Sequence, residues 1–363
     1  MNIFSASTKR GFALVALALG AVMAPVQSAE LNLAGKTVQF VIPFAETGGS
    51  AEWANFYAPL LSKALPGNPQ VLVKYMPGAG STKGANWFEK QKDDGLTLFG
   101  TSGSTQFPYL LGDPRVRYEY KGWQVTLASA TGGVAYLPAD LGKKFAADPN
   151  ALKGTKFIYG SQGATSLDLV PLLAWKLLGM TVEPVFGVKG RGDGRLMFER
   201  GEANIDYQTS SAYISKVEPL VASGKAVPMM TWGALDDNGN IVRDPTFPNI
   251  PTFKEVLAKQ LGKEPSGPGW KAWKAFFVAG FAAQKMVFLP RDAKPDVVET
   301  YRKAFERVTK APDFAKISEK SQGIYPQMVN KAAQNAMDQA IDVDDEARAY
   351  VRKWLMDDYK VKL

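Results

Sequence analysis

One unit recurs along this chain: a short apolar segment, a loop of glycine and hydroxyl residues, and a stretch with helical spacing. Thr37 to Ile42 reads as a buried strand and Pro43 to Ser50 as a loop, with Trp53, Phe56, Tyr57, Leu60, Leu61 and Ala64 on one face of a helix. Gln70 to Tyr75, the loop Pro77 to Ser81 and Lys83 to Gln91 repeat the unit. Leu96 to Gly100 runs into the loop Thr101 to Thr105. Lys156 to Gly160 runs into Ser161 to Ser166 and a helix carrying Leu169, Leu172, Leu173 and Leu177, where a second domain begins to repeat the pattern. Strands separated by helices pair by crossing over the sheet, so the pattern selects an α/β fold with mainly parallel sheets and right-handed crossovers.

Later segments vary the theme. Val182 to Phe186 and Ala203 to Tyr207 read as further strands, and Arg195 to Arg200 as a short helix. Between Met229 and Val242, Asp237-Asn238-Gly239 separates two apolar segments and predicts a tight hairpin. The C-terminal region is helical, with Val297, Val298, Tyr301, Phe305 and Val308 on one amphipathic face and Ala336, Ile341, Tyr350, Val351, Trp354 and Leu355 on later ones.

Lys9 and Arg10 followed by the apolar run Gly11 to Ala24 and small residues at Ser28 and Ala29 form the tripartite pattern of a secretory signal. We therefore expect residues 1–29 to be a signal peptide cleaved near Ala29, by ordinary secretion, since neither a twin arginine nor a cysteine lies near the cleavage point. The chain of 363 residues contains no cysteine and no histidine. This removes disulfide staples, a thiol nucleophile, the commonest general base and the usual zinc ligands. Loss of the signal lowers the formal net charge from +8 to +6. That excess suits anionic solutes but is spread along the chain, so no nucleic-acid partner is expected.

Enzyme motifs are incomplete. Gly35-Lys36-Thr37 mimics the end of a P-loop, yet Glu30 stands where its first glycine belongs. Gly100-Thr101-Ser102-Gly103-Ser104 approaches a nucleophile elbow but ends on serine. What remains are loops at 47–50, 101–105 and 161–166, each between a strand and a helix N-terminus. Unpaired N–H groups and the helix dipole make such loops carboxylate or phosphate sites when several converge. Helix capping alone explains any single one: Thr165 with Asp168 fits a capping box. The segment Lys189 to Arg195 offers a guanidinium for bidentate carboxylate binding, or else a solvated turn with Arg195 paired to Glu199. Trp53, Trp87 and Trp175 read as core residues.

Val41-Ile42-Pro43-Phe44-Ala45, Gly48-Gly49-Ser50, Pro77-Gly78-Ala79-Gly80 and Asp94-Gly95-Leu96-Thr97-Leu98, in this order and spacing, resemble the N-terminal signature of Bug-type receptors. These are the solute-binding proteins of tripartite tricarboxylate transporters. Gly160-Ser161-Gln162-Gly163, Gly201 to Asp206 and Ile250-Pro251-Thr252 extend the resemblance over most of the mature chain. It implies a two-domain periplasmic binding protein, a type II-like clamshell, with domain one at 30–130 plus 232–363 and domain two at 131–231. It further implies a small organic carboxylate, aliphatic or aromatic, as ligand, membrane permease subunits as partners, no cofactor, a monomer, and no enzymatic activity. The implied contacts are Ala45, Thr47, Gly48, Gly49 and Ser50, then Ser102, Ser104 and Thr105, then Ser161, Gln162, Gly163, Ala164, Thr165 and Ser166. Arg191 and Asp206 complete the candidate set. Glu46 and Glu52 depart from the family pattern, and Arg191 is an addition that restores the charge balance. A sensory partner of a membrane receptor, or a secreted enzyme using Glu46, Glu52, Asp168 and Asp206, are the rival readings.

Overall fold

The computed structural model describes Met1, residues 31–236 and residues 238–363. The expected signal segment, apart from Met1, lies outside the described residues. From residue 31 the chain builds β1 (Thr37–Ile42), β2 (Gln70–Tyr75), β3 (Thr97–Gly100) and β4 (Gln124–Ser129) of a first lobe. It then crosses to a second lobe with β5 (Gly133–Pro138), β6 (Lys156–Ser161), β7 (Thr181–Phe186), β8 (Asp206–Thr209) and β9 (Ala226–Thr231). A hairpin of β10 (Ala234–Leu235) and β11 (Ile241–Val242) follows, and β12 (Lys285–Leu289) and β13 (Gln327–Val329) return to the first sheet.

That sheet has the order β13-β4-β12-β3-β1-β2. Helices Gly49–Ala64 and Pro295–Thr309 cover one face, where Phe40, Trp53, Tyr57, Tyr301 and Phe305 are buried together. On the other face Phe88, Phe99, Trp123 and Met337 pack together. With both faces covered, β1 needs little polar alternation, and Phe40, Val41 and Ile42 are all fully buried.

The sequence reading of mainly parallel sheets holds where a helix follows each strand. β1 pairs parallel with β2 and β3, and β6 with β7. The strands that carry the chain between lobes are antiparallel: β12 against β3 and β4, β13 against β4, and β5 against β8 and β9. Their partners lie far along the chain, in segments that leave one lobe and return from the other, so no single strand–helix–strand unit sets their direction. The predicted hairpin is present in miniature, with Asp236 N–H donating to Asn240 O at 3.0 Å.

The C-terminal third is shared between lobes. Helices Pro268–Phe281 and Asp345–Tyr359 pack onto the second-lobe helix Leu169–Leu177. Trp273 Nε1 donates to Val170 O at 3.1 Å, and Lys176 Nζ lies 2.5 Å from Asp358 Oδ2. Part of the segment that sequence places in domain one therefore joins the second lobe's core. Two crossings run side by side at 130–132 and 282–284: Thr131 N–H donates to Phe281 O at 3.1 Å, and Ser129 stands opposite Lys285.

Candidate ligand cleft

Between the lobes lies a narrow cavity of about 20 Å³. Its wall brings together Ala45, Gly48, Gly49 and Ser50 after β1, Ser102 and Ser104 after β3, Gln162 after β6, and Gly190 and Arg191 after β7. Phe44, Leu167, Thr209 and Gln284 complete it. The first turns of helices Gly49–Ala64, Gly103–Leu110 and Arg191–Glu199 thus point at one space from both lobes. Gly48 and Gly190 are N-caps without a side-chain cap bond, which leaves first-turn N–H groups for another acceptor. Ser102 caps its helix, accepting from Ser104 N–H at 3.1 Å. Among the described residues no acidic side chain lines the cavity.

The lobes touch across this space. Ala45 N–H donates to Lys189 O at 3.0 Å, Thr47 Oγ1 donates to Asp193 Oδ1 at 3.2 Å, and Leu167 N–H donates to Ser104 Oγ at 3.1 Å. Glycine is required at these contacts. A Cβ on Gly192 would lie 2.1 Å from Thr47 O, and one on Gly49 would lie 2.2 Å from Thr209 Oγ1. A space of that size holds about one water, so a carboxylate of several carbons enters only if the lobes separate.

Other candidates sit elsewhere. Ser161 Oγ donates to Asp168 Oδ2 at 2.9 Å and Ser166 Oγ to Gly163 O at 2.6 Å, so both hydroxyls hold their own loop. Gly163, Ala164 and Thr165 line a separate open groove of about 350 Å³ with Gly78, Gly80, Arg115 and Lys189. Thr165 Oγ1 donates to Asp113 Oδ2 at 2.8 Å rather than capping its helix with Asp168. Thr105 is fully buried behind the cavity wall. Glu46 is exposed, and Glu52 faces Lys216 at 3.6 Å.

Arg191 is part of the cavity wall and Asp206 is not. The Gly-rich segment is the first turn of helix Arg191–Glu199, with Arg195 paired to Glu199 as predicted. The Arg191 guanidinium turns away from the cleft into the second lobe. It donates to Asp206 and, at 2.5 Å, to Gly160 O, lies 3.5 Å from Asp168 Oδ2, and stacks between Tyr159 and Tyr207 at 4.7 and 4.9 Å. Asp206 is fully buried and also accepts from Tyr136 and from Gln208 Nε2, the latter at 2.9 Å. Burial raises the Asp206 carboxyl above its ordinary range, with Arg191 acting against it. Two buried carboxylates and two backbone carbonyls engage the terminal nitrogens of the guanidinium, while Nε is buried without a partner among the described residues. Its backbone still shapes the cleft, since Arg191 O accepts from Gln208 Nε2 at 2.8 Å.

Sequence reasoning missed Thr209, Gln284 and the neighbouring Lys285. The last carries a readable signal, a single lysine between apolar helix and apolar strand.

No protein-family model matches the chain, and no curated protein does. Solved structures do match in fold, and the fold is that of the two-lobed periplasmic binding proteins, Bug-type receptors among them. The chain is similar to the periplasmic binding protein BugD, at 16% identity and a TM-score of 0.65, over 90% of this chain and 98% of that one. It is similar to MatC from Rhodopseudomonas palustris, solved with bound malate, at 18% identity and a TM-score of 0.60, over 87% and 98%. A second R. palustris protein, solved with adipate, matches at 16% and 0.62, over 88% and 94%.

Proposed function

We propose that this protein is a periplasmic solute-binding receptor that closes its lobes on a small organic carboxylate and presents it to membrane permease subunits of a tripartite tricarboxylate-type transporter. The observation that carries this reading is the convergence of helix first turns from both lobes on one cavity whose wall, among the described residues, holds hydroxyls and amides but no acid. Malate and adipate in the fold neighbours support the same ligand class. The first contacts are Ala45, Gly48, Gly49, Ser50, Ser102, Ser104 and Gln162. The lobes divide at the paired crossings, residues 31–130 with 285–341 in one and 131–281 with the C-terminal helix in the other. The receptor acts as a monomer, in the periplasm after loss of residues 1–29, and binds without turning its ligand over. With neither cysteine nor histidine in the chain, no activated nucleophile of the usual kinds is available.

A thermal-shift panel of malate, adipate, citrate, benzoate, amino acids and neutral sugars tests it. A ligand at 100 times its dissociation constant adds about 2.7 kcal/mol of stability. We expect a carboxylate to raise Tm; a shift with a sugar and none with any carboxylate would overturn the reading.

A further inference from the structure

Lys285 is the first residue of β12, directly after the crossing at 282–284, and its residue exposure is 2%. Its neighbour Gln284 lines the cavity. Among the described residues the hydrogen-bond partner of its Nζ is Ser211 Oγ, at a long 3.5 Å. Ser211 Oγ in turn donates to the carbonyl of Gly49 at 3.2 Å, and Gly49 is cavity wall. One hydroxyl therefore links the buried ammonium to the backbone of a cavity-wall residue, with Lys285 itself set behind that wall. Ser129 and Gln327 stand in the same cross-strand row, and both are neutral.

An ammonium carries three donors and is costly to bury without an acid. Glu52, on the helix above, is the carboxylate that acts on Lys285, and it already faces Lys216 at 3.6 Å. Tyr57 on that helix, bonded to Gln327, and the Tyr325–Asp244 pair beside Ser210 are further titratable groups on the packed elements. None of these contacts supplies Lys285 with a hydrogen-bonded counterion. A methionine of similar length would pack there at less cost, so a structural role does not account for the charge.

We propose that Lys285 is the buried countercharge of the ligand site, making an anionic group on the ligand's end nearest Gly49 and Gln284 a condition of tight binding. This rests on the carboxylate reading above. The lysine belongs to a first-lobe strand and Ser211 to the second lobe, so the amine acquires its surroundings at the hinge as the lobes close. Burial lowers the amine to about 7, with Glu52 acting in the opposite direction. A carboxylate entering the cavity favours the charged amine, so above that pH binding takes up a proton.

The test is isothermal titration calorimetry of the wild-type protein with malate, adipate, citrate and benzoate, and with succinamide as a neutral control, between pH 6 and 9. Buffers of different ionisation enthalpy report the proton count. We expect uptake approaching one proton per carboxylate at pH 8, and affinity falling by roughly tenfold from pH 6.5 to 8.5. In Lys285→Met the uptake disappears and carboxylate affinity at pH 6.5 drops at least about tenfold. Wild-type binding of a carboxylate without proton uptake, with Lys285→Met within about twofold, overturns the countercharge and leaves the receptor reading standing. Failure of all four carboxylates to bind overturns both. The wild-type proton count does not depend on how the variant folds.

Discussion

Arg191 and Lys285 are both cations buried beside the same cleft, and they are held in opposite ways. Arg191 sits between Asp168 and Asp206 with a tyrosine ring on each side, while Lys285 has a distant serine hydroxyl. The number of acid partners decides what a buried cation does. Two carboxylates exceed one guanidinium, so Arg191 is tied to the loops at 160–162 and 206–208 and its backbone fixes the cleft's shape. Lys285 lacks that compensation, and its charge is available to an arriving anion.

The comparison breaks most visibly in stability. Arg191→Met leaves Asp168 and Asp206 uncompensated, and urea unfolding at pH 7 should register a loss of about 3–5 kcal/mol. The deficit shrinks as pH falls, because the Asp206 carboxyl, raised by burial, neutralises; a loss below about 1 kcal/mol would mean the cage is not structural. Lys285→Met has the opposite sign and gains about 1–4 kcal/mol. The folded amine titrates near 7 against 10.5 unfolded, so the unfolded chain binds the extra proton between those values and wild-type stability rises with pH there. The variant's gain is therefore full below pH 7 and fades toward pH 10.5, which thermal melts at pH 6 and 10 would detect.

Smaller effects separate closure from folding. Gly192→Ala puts a methyl against Thr47 O, so carboxylate affinity should fall by about 1–3 kcal/mol while each lobe stays folded. Small-angle scattering with saturating ligand should then show the separated form; a compact form would show that the loop yields. Thr252→Ala removes a capping box remote from the cleft, costing about 1 kcal/mol in melts with binding unchanged.

The units at β1, β3 and β6 were legible because strand, loop and helix are neighbours in sequence, so apolar spacing and glycine placement carry the information. The crossing strands β4, β5 and β12 were not, since their partners lie far along the chain and no turn marks them. The packing of the apolar helix Pro268–Phe281 was not legible either, because it chooses its neighbours only in three dimensions.

By itself the sequence determined that loops rich in N–H and hydroxyl donors would sit at helix starts, because local backbone geometry requires it. It also determined that no cysteine or histidine chemistry was available. Which charges serve the ligand was decided by tertiary structure alone. Arg191 in a glycine-rich loop read as a ligand contact or a solvated turn and Lys285 drew no reading, and the fold places two carboxylates on the first and none in hydrogen-bond contact with the second. Charge compensation depends on residues far away in sequence, which local pattern does not carry.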